Sequence, residues 1–222
     1  MSAILFGSIS TVADTSELQR QAFNQAFESH GLDWQWDQDD YRTMLATSGG
    51  RGRVEAYAES RGESVDAAAV HETKSGLFQD NLAAATLTPR AGVLDTVKAA
   101  KSRGWKVGLV TTTSRENITA LLEALAPDIE ADDFDVIVDA TDVEQPKPDR
   151  AAYAFALQAL GEAPADCVAI EDNVGGVQSA SAAGLACVAF PNENTAEHDF
   201  AAADRSVARI DLDELTSLAQ AG

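Results

Sequence analysis

Three short segments carry side chains suited to holding a phosphate group and a divalent cation. The segment TTTSREN (111–117) supplies hydroxyl groups, QPKPD (145–149) carries Lys147, and EDN (171–173) carries two adjacent carboxylates. Hydroxyl groups and free backbone amides bind phosphate, lysine neutralises its charge, and carboxylates are ligands that Mg²⁺ prefers. The three segments together therefore predict a site for a phosphorylated ligand and a magnesium ion.

Each segment also has a purely structural interpretation. Residues 111–114 could form only the N-terminal cap of a helix, and Lys147 between two prolines could belong to a surface turn. Adjacent carboxylates are harder to explain in this way, because they repel each other unless a cation or hydrogen-bond donors offset them. The candidates are, for phosphate, Thr111, Thr112 and Lys147 and, for a cation, Glu171 and Asp172.

Apolar runs typical of buried strands precede these segments. Six runs rich in Val, Ile and Leu occur at 2–6, 105–110, 135–139, 167–171, 186–190 and 206–210. Their continuous apolar character is typical of parallel strands that are covered on both faces. Helical patterns lie between the runs and end at Gly or Pro, so the sequence predicts an α/β fold with a doubly wound parallel sheet. In such a sheet the ligand crevice lies beyond the carboxyl ends of the strands, where the candidate residues stand.

The interval from about 16 to 86 holds helical patterns only, which interrupts the alternation of strand and helix. We therefore predict an inserted helical cap domain at 16–86 and a sheet domain built from 1–15 and 87–222. Aromatic residues of the interval are expected to form the core of the cap rather than to stack on a ligand. They are Trp34, Trp36 and Tyr41.

Composition excludes several classes of partner. The chain has 16 Lys and Arg against 36 Asp and Glu, a net charge of −20 over 222 residues, which disfavours nucleic acid and anionic membrane surfaces. No run of about 18 apolar residues and no secretion-signal pattern occurs, so the cytoplasm is the expected compartment. The cysteines and histidines receive no chemical role, because the former lie in apolar runs and the latter are isolated. They are Cys167, Cys187, His30, His71 and His198.

The order of these motifs resembles the haloacid dehalogenase (HAD) superfamily, in the branch with a helical cap inserted after the first motif. Within it, the chain is similar to CbbY-type sugar-phosphate phosphatases and their β-phosphoglucomutase-like relatives. The resemblance rests on LVTTTSREN, QPKPD, AIEDNVGGVQSASAAG and the cap stretch HGLDWQWDQDDYRTMLATSGGRGRVEAY. It implies a HAD-type Rossmann-like parallel sheet core with an inserted helical cap domain. It also implies a small phosphorylated metabolite or inorganic anion as ligand and Mg²⁺ as cofactor.

The first motif departs from the family pattern. Family members open with a sequence like FDxDGTLxDS, whereas this chain reads FGSISTVADT from Phe6 to Thr15. Gly7 then stands where the nucleophilic aspartate is expected, and Ile9 where the acid/base aspartate is expected. Glycine offers no nucleophile and isoleucine exchanges no proton. Because the resemblance also implies that the nucleophile shares the Mg²⁺ with the acid matching Asp172, we expect weakened magnesium binding.

In the cap, residues 48–53 resemble a family stretch that reads like GGKER and grips the distal part of a sugar phosphate. Arg51 replaces the lysine, Gly52 replaces the glutamate, and Arg53 keeps the arginine. Arginine suits phosphate through its bidentate fork, so Arg51 and Arg53 are candidate substrate-binding residues. The alternative is that both are exposed and serve solubility.

Two functional hypotheses follow. In the first, the chain is a non-catalytic or crippled relative that binds phosphate, a small phosphorylated metabolite or a protein partner. In the second, it is a magnesium-dependent phosphomonoester hydrolase that works by an altered route, with Asp14 as a substitute nucleophile or with Glu171 or Asp172 orienting a water. We favour the first hypothesis because the residues needed for an aspartyl-phosphate are missing.

Overall fold

The computed structural model describes residues 1–46 and 49–219 and contains a parallel β-sheet at its centre. Within these residues the strands are β1 (Ala3–Phe6), β2 (Lys106–Val110), β3 (Val136–Val138), β4 (Cys167–Glu171), β5 (Ala186–Ala189) and β6 (Arg205–Ser206). Their spatial order is β3-β2-β1-β4-β5-β6, and all pairs are parallel. The predicted α/β fold is confirmed, and β1 lies between β2 and β4, whose ends carry two of the candidate segments.

Helices connect the strands. In the same described ranges they are α1 (Ile9–Val12), α2 (Ser16–Ser29), α3 (Gln38–Met44), α4 (Gly50–Arg61), α5 (Ala67–Ala84), α6 (Val93–Ser102), α7 (Arg115–Leu125), α8 (Ala151–Leu160), α9 (Val174–Ala182) and α10 (Leu212–Ala219). Gly161 ends α8 in the left-handed conformation, at φ 69°, as the glycine stop predicts. None of the described helices is both long and apolar enough to cross a membrane.

Both faces of the sheet are covered, which explains the continuous apolar runs. Along β1, Ile4 and Phe6 pack into one apolar cluster, while Ala3 and Leu5 pack into the cluster on the opposite face. Strand β6 is the exception, since it spans only two exposed residues where the sequence predicts a strand at 206–210. As the edge strand it pairs with β5 alone, so little holds a longer strand in place.

The strand register brings the candidate segments to one level. Phe6 at the end of β1 lies opposite Leu109 of β2 and Ile170 of β4. The backbone N–H of Gly7 continues this pairing and donates a 2.8 Å hydrogen bond to the carbonyl of Ile170. The loops that follow β1, β2 and β4 therefore leave the sheet side by side.

Helices α2 to α5 form an aromatic core of their own. Phe23, Phe27, Trp34, Trp36 and Tyr41 pack together there, with Trp36 fully buried, so the predicted core position of the aromatic residues is confirmed. That none of them stacks on a ligand stays a prediction. A side-chain hydrogen bond of 3.0 Å from Gln79 to Asn117 links α5 to α7 of the sheet domain. The domain boundaries at 15/16 and 86/87 stay a prediction.

Candidate functional site

A cleft of about 640 Å³ opens between the carboxyl ends of the strands and the cap helices. The sheet domain contributes Gly7, Ser8, Ile9, Thr111, Thr112, Lys147 and Asp172 to its lining, and the cap contributes Arg51, Arg53, His71 and Lys74. Except for Glu171 and Asp14, every candidate residue of the sequence lies on this cleft. Its position matches the expected ligand crevice of an open parallel sheet.

The loop after β1 is fastened to the loop after β4. Ser8 is the N-cap of α1, where its hydroxyl accepts a hydrogen bond from the backbone N–H of Thr11 at 3.1 Å. The same hydroxyl donates to Oδ1 of Asp172 at 2.7 Å. Ile9, the next residue, is 4% exposed and packs into the sheet-domain core. The position expected to hold an acid/base is therefore apolar in its surroundings as well as in its side chain.

The hydroxyl segment after β2 serves both interpretations of the sequence. Ser114 is the N-cap of α7 and accepts a hydrogen bond from the N–H of Asn117. Thr111 and Thr112 precede this N-cap residue and lie on the cleft. The hydroxyl of Thr111 accepts a hydrogen bond from the N–H of Thr113 at 3.2 Å. Phosphate binding by Thr111 and Thr112 stays a prediction that this placement supports.

Lys147 reaches the cleft floor with its ammonium group surrounded by acceptors. It donates to the carbonyl oxygens of Gly7 at 2.5 Å and Val110 at 2.7 Å, and to Oε1 of Glu171 at 2.5 Å. An ammonium group has three N–H donors, and these three bonds use all of them. A phosphate can therefore contact Lys147 only if one internal bond breaks.

Glu171 lies behind the cleft and not on it. Its side chain is fully buried, and Oε1 also accepts a 2.7 Å hydrogen bond from the hydroxyl of Tyr153. Burial raises the pKa of Glu171, while the nearby Lys147 ammonium opposes that shift. Burial, followed by the charge of Glu171, raises the pKa of Tyr153 well above its usual value. Glu171 is held by two protein donors and does not line the cleft, so its role as a cation ligand stays a prediction that this placement does not support.

Two glycines enclose the Glu171 carboxylate. A Cβ atom built at Gly7 would overlap the carboxyl carbon and Oε1 of Glu171 and the hydroxyl oxygen of Tyr153, and a Cβ built at Gly176 in α9 would overlap the carboxyl carbon and Oε2 of Glu171. Among the described residues Oε2 has no hydrogen-bond partner. The carboxylate therefore fills the space that side chains at residues 7 and 176 would otherwise occupy.

The predicted cap arginines differ in their surroundings. Arg53 is largely buried, donates to the carbonyl of Met44 at 3.1 Å and lies near the Tyr41 ring, and burial lowers the pKa of its guanidinium. Arg51 is exposed and pairs with Glu55 one helical turn away at 2.8 Å. Both reach the cleft, and their role in binding a ligand stays a prediction. Ser48, the first residue of this stretch, lies outside the described residues.

Two further basic residues of the cap line the cleft and were missed by the sequence analysis. Lys74 is 4% exposed, and burial together with Arg53 lowers its pKa to about 7. His71 lies one turn earlier on α5, and burial followed by the charge of Lys74 lowers its pKa to about 4. The missed signal was the place of Lys74 on an otherwise apolar stripe of α5. The buried members of that stripe are Ala67, Val70, Lys74, Phe78 and Leu82.

Arg90 fastens the loop after β1 to the segment after β5. Its guanidinium donates to the carbonyls of Ser10 at 3.0 Å, Phe190 at 2.8 Å and Pro191 at 2.5 Å, and lies 3.5 Å from the centre of the Phe190 ring. Burial lowers its pKa. Arg90 thus positions the backbone beside Ser8 without itself lining the cleft.

A family model for haloacid dehalogenase-like hydrolases matches residues 1–184 of this chain. This chain belongs to the haloacid dehalogenase-like hydrolase family. It is 39% identical to the protein CbbY of Rhodobacter capsulatus over 207 residues, covering 92% of this chain and 91% of that protein. It is 36% identical to CbbY of Cereibacter sphaeroides over 206 residues, covering 91% and 90% of the two chains. The predicted family and its CbbY-type branch are confirmed.

Solved structures of HAD-like proteins share the fold. The crystal structure of CbbY from Rhodobacter sphaeroides in complex with phosphate superposes with a TM-score of 0.86 at 35% identity and covers 94% of each chain. A mutant of that protein in complex with xylulose 1,5-bisphosphate gives a TM-score of 0.87. A β-phosphoglucomutase from Clostridium difficile, at 17% identity and a TM-score of 0.81, shares the fold.

The HAD family implies a magnesium ion, and the residues at the expected position do not fit one. Oδ1 of Asp172 accepts from Ser8 at 2.7 Å and from Asn173 at 3.1 Å, and Oδ2 accepts from the amide of Asn192 at 3.0 Å. Neutral donors thus use three of the about four acceptor positions of the Asp172 carboxylate, while Glu171 faces Lys147. No group of three or more His, Cys, Asp or Glu side chains in residues 1–46 and 49–219 is placed to hold a metal ion.

The substitute acids of the altered hydrolytic route lie in different places. Asp14 is exposed, and its carboxylate accepts from the backbone N–H of Ser16 at 3.1 Å and from the Ser16 hydroxyl at 2.7 Å. It precedes Thr15, the N-cap of α2, and is not part of the cleft lining. Among the described lining residues Asp172 is the single acid. Of the three acids considered, only Asp172 could orient a water in the cleft.

Proposed function

We propose that this HAD-family chain binds a small phosphorylated metabolite in the cleft and performs no aspartyl-phosphate chemistry. The observation that carries the proposal is the cleft itself, which pairs basic cap residues with hydroxyl groups of the sheet domain and has a glycine at residue 7. Such a cleft recognises an anion, while the group that would form a bond to phosphorus is missing.

The distribution of charge supports a ligand with a phosphate group at each end. Thr111, Thr112 and the turn before α7 offer hydroxyl groups and a helix N-terminus at the sheet side. Arg53 and Lys74 offer buried positive charge at the cap side, where desolvation strengthens their attraction for an anion. The complex of a CbbY relative with xylulose 1,5-bisphosphate makes a sugar bisphosphate the first ligand to test.

Loss of catalysis follows from the chemistry of two positions. A positioned acid/base contributes about 10²–10⁴-fold to rate, and removing a member of a covalent relay usually costs more. Gly7 cannot attack phosphorus, and Ile9 packs into the apolar core. Magnesium has no assigned role here, because Glu171 is paired with Lys147 and donors already use three of the about four acceptor positions of Asp172.

A second candidate function is phosphomonoester hydrolysis by an altered route. Family membership and 39% identity to a CbbY protein favour it, and Asp172 provides a carboxylate on the cleft. In this case the carboxylate would orient a water for direct attack on phosphorus. A protein partner in the old cleft is a third outcome that the test below separates from both.

Ligand binding and turnover should be measured on the same preparation. The ligands are inorganic phosphate, a sugar monophosphate and xylulose 1,5-bisphosphate, followed by thermal shift, calorimetry and phosphate release. We expect the bisphosphate to raise the melting temperature most, and no phosphate to be released. Turnover of about 1 s⁻¹ or more, abolished by Asp172→Asn, would establish the hydrolytic function instead. If no phosphorylated ligand binds, the metabolite proposal is wrong and a protein partner becomes the leading hypothesis.

A further inference from the structure

We propose that Glu171 is an internal counter-ion that takes the place of a carboxylate at residue 7, and that the cleft consequently binds its anionic ligand without a divalent cation. The second half rests on the proposed function, because it assumes that an anion binds. The first half concerns the folded protein alone and can be tested without any ligand.

The first step is spatial. Gly7 and Gly176 flank the Glu171 carboxylate so closely that a Cβ at either residue would overlap it, and a Cβ at residue 7 would also overlap the Tyr153 hydroxyl that bonds to this carboxylate. The Glu171 side chain is fully buried and cannot relax into solvent. A side chain on residue 7 and the side chain of Glu171 therefore compete for one volume, and in this sequence Glu171 occupies it.

The second step concerns charge. Lys147 is buried, with 6% of its side chain exposed, and Glu171 is the carboxylate that contacts it, at 2.5 Å. A buried ammonium group without a partner carries a large desolvation penalty, so the pair must be kept together. Tyr153 adds a hydroxyl donor to the same carboxylate oxygen, and its ring faces the ammonium group at 4.5 Å. Glu171 thus supplies the negative charge that Lys147 needs once residue 7 is a glycine.

The third step concerns the cation. A magnesium site needs oxygen ligands that are free to coordinate, and it draws on one or two carboxylates plus ligand phosphates. Glu171 is committed to Lys147, and the Asp172 oxygens accept hydrogen bonds from Ser8, Asn173 and Asn192. These donors use three of the about four acceptor positions of Asp172, so a cation would find a single open position on Oδ2 and no second carboxylate. Hydrogen bonds from neutral groups stabilise the negative charge of Asp172. The positive charges that attract the anionic ligand lie in the cap.

A double-mutant cycle of stability tests the counter-ion role. Gly7→Asp and Glu171→Ala should each raise the unfolding equilibrium constant by at least about tenfold, the first through overlap and the second by leaving Lys147 unpaired. The unfolding equilibrium constant of the double variant should be at least about tenfold lower than the product of the two single effects predicts, because the new carboxylate can fill the vacated volume. Gly76→Asp, at an exposed glycine of α5 with no atom near its Cβ position, is the matched control and should be additive with Glu171→Ala. Additive behaviour of Gly7→Asp and Glu171→Ala would overturn the role.

Calorimetry tests independence from the cation. MgCl₂ alone should show no binding tighter than about 10 mM, and the affinity for xylulose 1,5-bisphosphate should agree within about twofold between EDTA and MgCl₂. Magnesium binding tighter than about 1 mM that is lost in Asp172→Asn would overturn the proposal. Glu171→Gln should tighten anion binding by about threefold or more, since it removes the charge that neutralises Lys147. Weaker binding in Glu171→Gln would contradict the counter-ion role.

The two proposals fail in different ways. If neither phosphate nor the bisphosphate binds in any buffer, the proposed function is wrong, and with it the claim of cation-independent binding. The stability cycle of Gly7→Asp and Glu171→Ala still decides the role of Glu171. If Glu171→Gln does not fold, Tyr153→Phe removes one donor from the same carboxylate and should leave the bisphosphate affinity unchanged within about threefold in the presence of EDTA. A larger change in affinity would contradict the proposal that the Glu171 carboxylate affects ligand binding only through Lys147.

Discussion

The ammonium group of Lys74 donates a 3.0 Å hydrogen bond to Oε1 of Gln19 and so joins helix α5 to helix α2 beside the cleft. The rings of Phe23 and Phe78 lie 4.9 Å and 4.8 Å from the same nitrogen. Within the described residues no carboxylate pairs with this lysine, and burial holds its pKa at about 7. A charge kept in such surroundings costs stability unless a ligand supplies the counter-charge.

The first prediction concerns stability against pH. The pKa of Lys74 is about 7 in the folded chain and 10.5 in the unfolded chain, so between these values the unfolded chain binds more protons. The free energy of unfolding should therefore rise with pH across this window, by at most about 1.4 kcal/mol per pH unit from this group. Urea denaturation at several pH values, for the wild type and Lys74→Met, isolates the contribution.

In that comparison Lys74→Met should be more stable than the wild type at pH 6, and its advantage should shrink as the pH approaches 10. His71 and Arg53 lie close by, but His71 has a pKa of about 4 and stays neutral in this range, while Arg53 stays charged. A difference between the two proteins that is the same at all pH values would contradict a lowered pKa for Lys74.

The second prediction concerns ligand affinity. A bound phosphate favours the protonated form of Lys74, so bisphosphate affinity should fall as the pH rises above about 7. Lys74→Met should weaken binding by about tenfold or more at pH 6.5, an effect typical of losing a buried charged partner. Lys98→Met, at an exposed lysine of α6, removes the same charge from the −20 total and should change affinity by less than about twofold. Equal losses in the two variants would point to long-range charge alone.

The third prediction concerns the loop clamp. Arg90→Lys keeps the positive charge but cannot reach the three carbonyl groups of Ser10, Phe190 and Pro191 together. We expect a loss of about 2–4 kcal/mol in the free energy of unfolding, because buried carbonyl groups lose their donors. Arg209→Lys, at an exposed pair with Asp95, should change stability by no more than about 0.5 kcal/mol. A loss below about 1 kcal/mol for Arg90→Lys would show that the clamp is dispensable.

The fourth prediction concerns restoring the family motif. The variant with Gly7→Asp and Ile9→Asp should be less stable than the wild type by about 3 kcal/mol or more, since one carboxylate overlaps Glu171 and the other enters the apolar core. We expect no turnover of aryl phosphate from it. Adding Glu171→Ala should recover part of the stability. Turnover near 1 s⁻¹ in the double variant, with Glu171 still present, would contradict the competition for space.

Much of the fold follows from sequence pattern, because buried parallel strands and amphipathic helices leave local signals. Strand β4 has the predicted bounds of 167–171, and helices lie between the strands as the sequence predicts. Strand β6 and helix α10 were harder to predict from the sequence. An edge strand of two residues has no apolar period to detect.

The candidate site was predictable in its membership and less so in its contacts. Thr111, Lys147 and Asp172 line one cleft because strand order brings their loops together. The direction of the Glu171 side chain depends on the absence of a Cβ at Gly7 and Gly176, which are distant from each other in the chain. Predicting Lys74 as a site residue would have required recognising a charge inside an apolar stripe as a functional signal.

The enclosure of Glu171 by two glycines also constrains how this sequence can evolve. A carboxylate fits at residue 7 only if residue 171 is shortened or moved and the Tyr153 hydroxyl shifts, while shortening residue 171 first leaves Lys147 without its partner. Each single substitution is expected to lower stability, so the two changes are compatible only when they are made together. The packing of Glu171 against Gly7 thus makes residues 7 and 171 of this chain epistatically coupled.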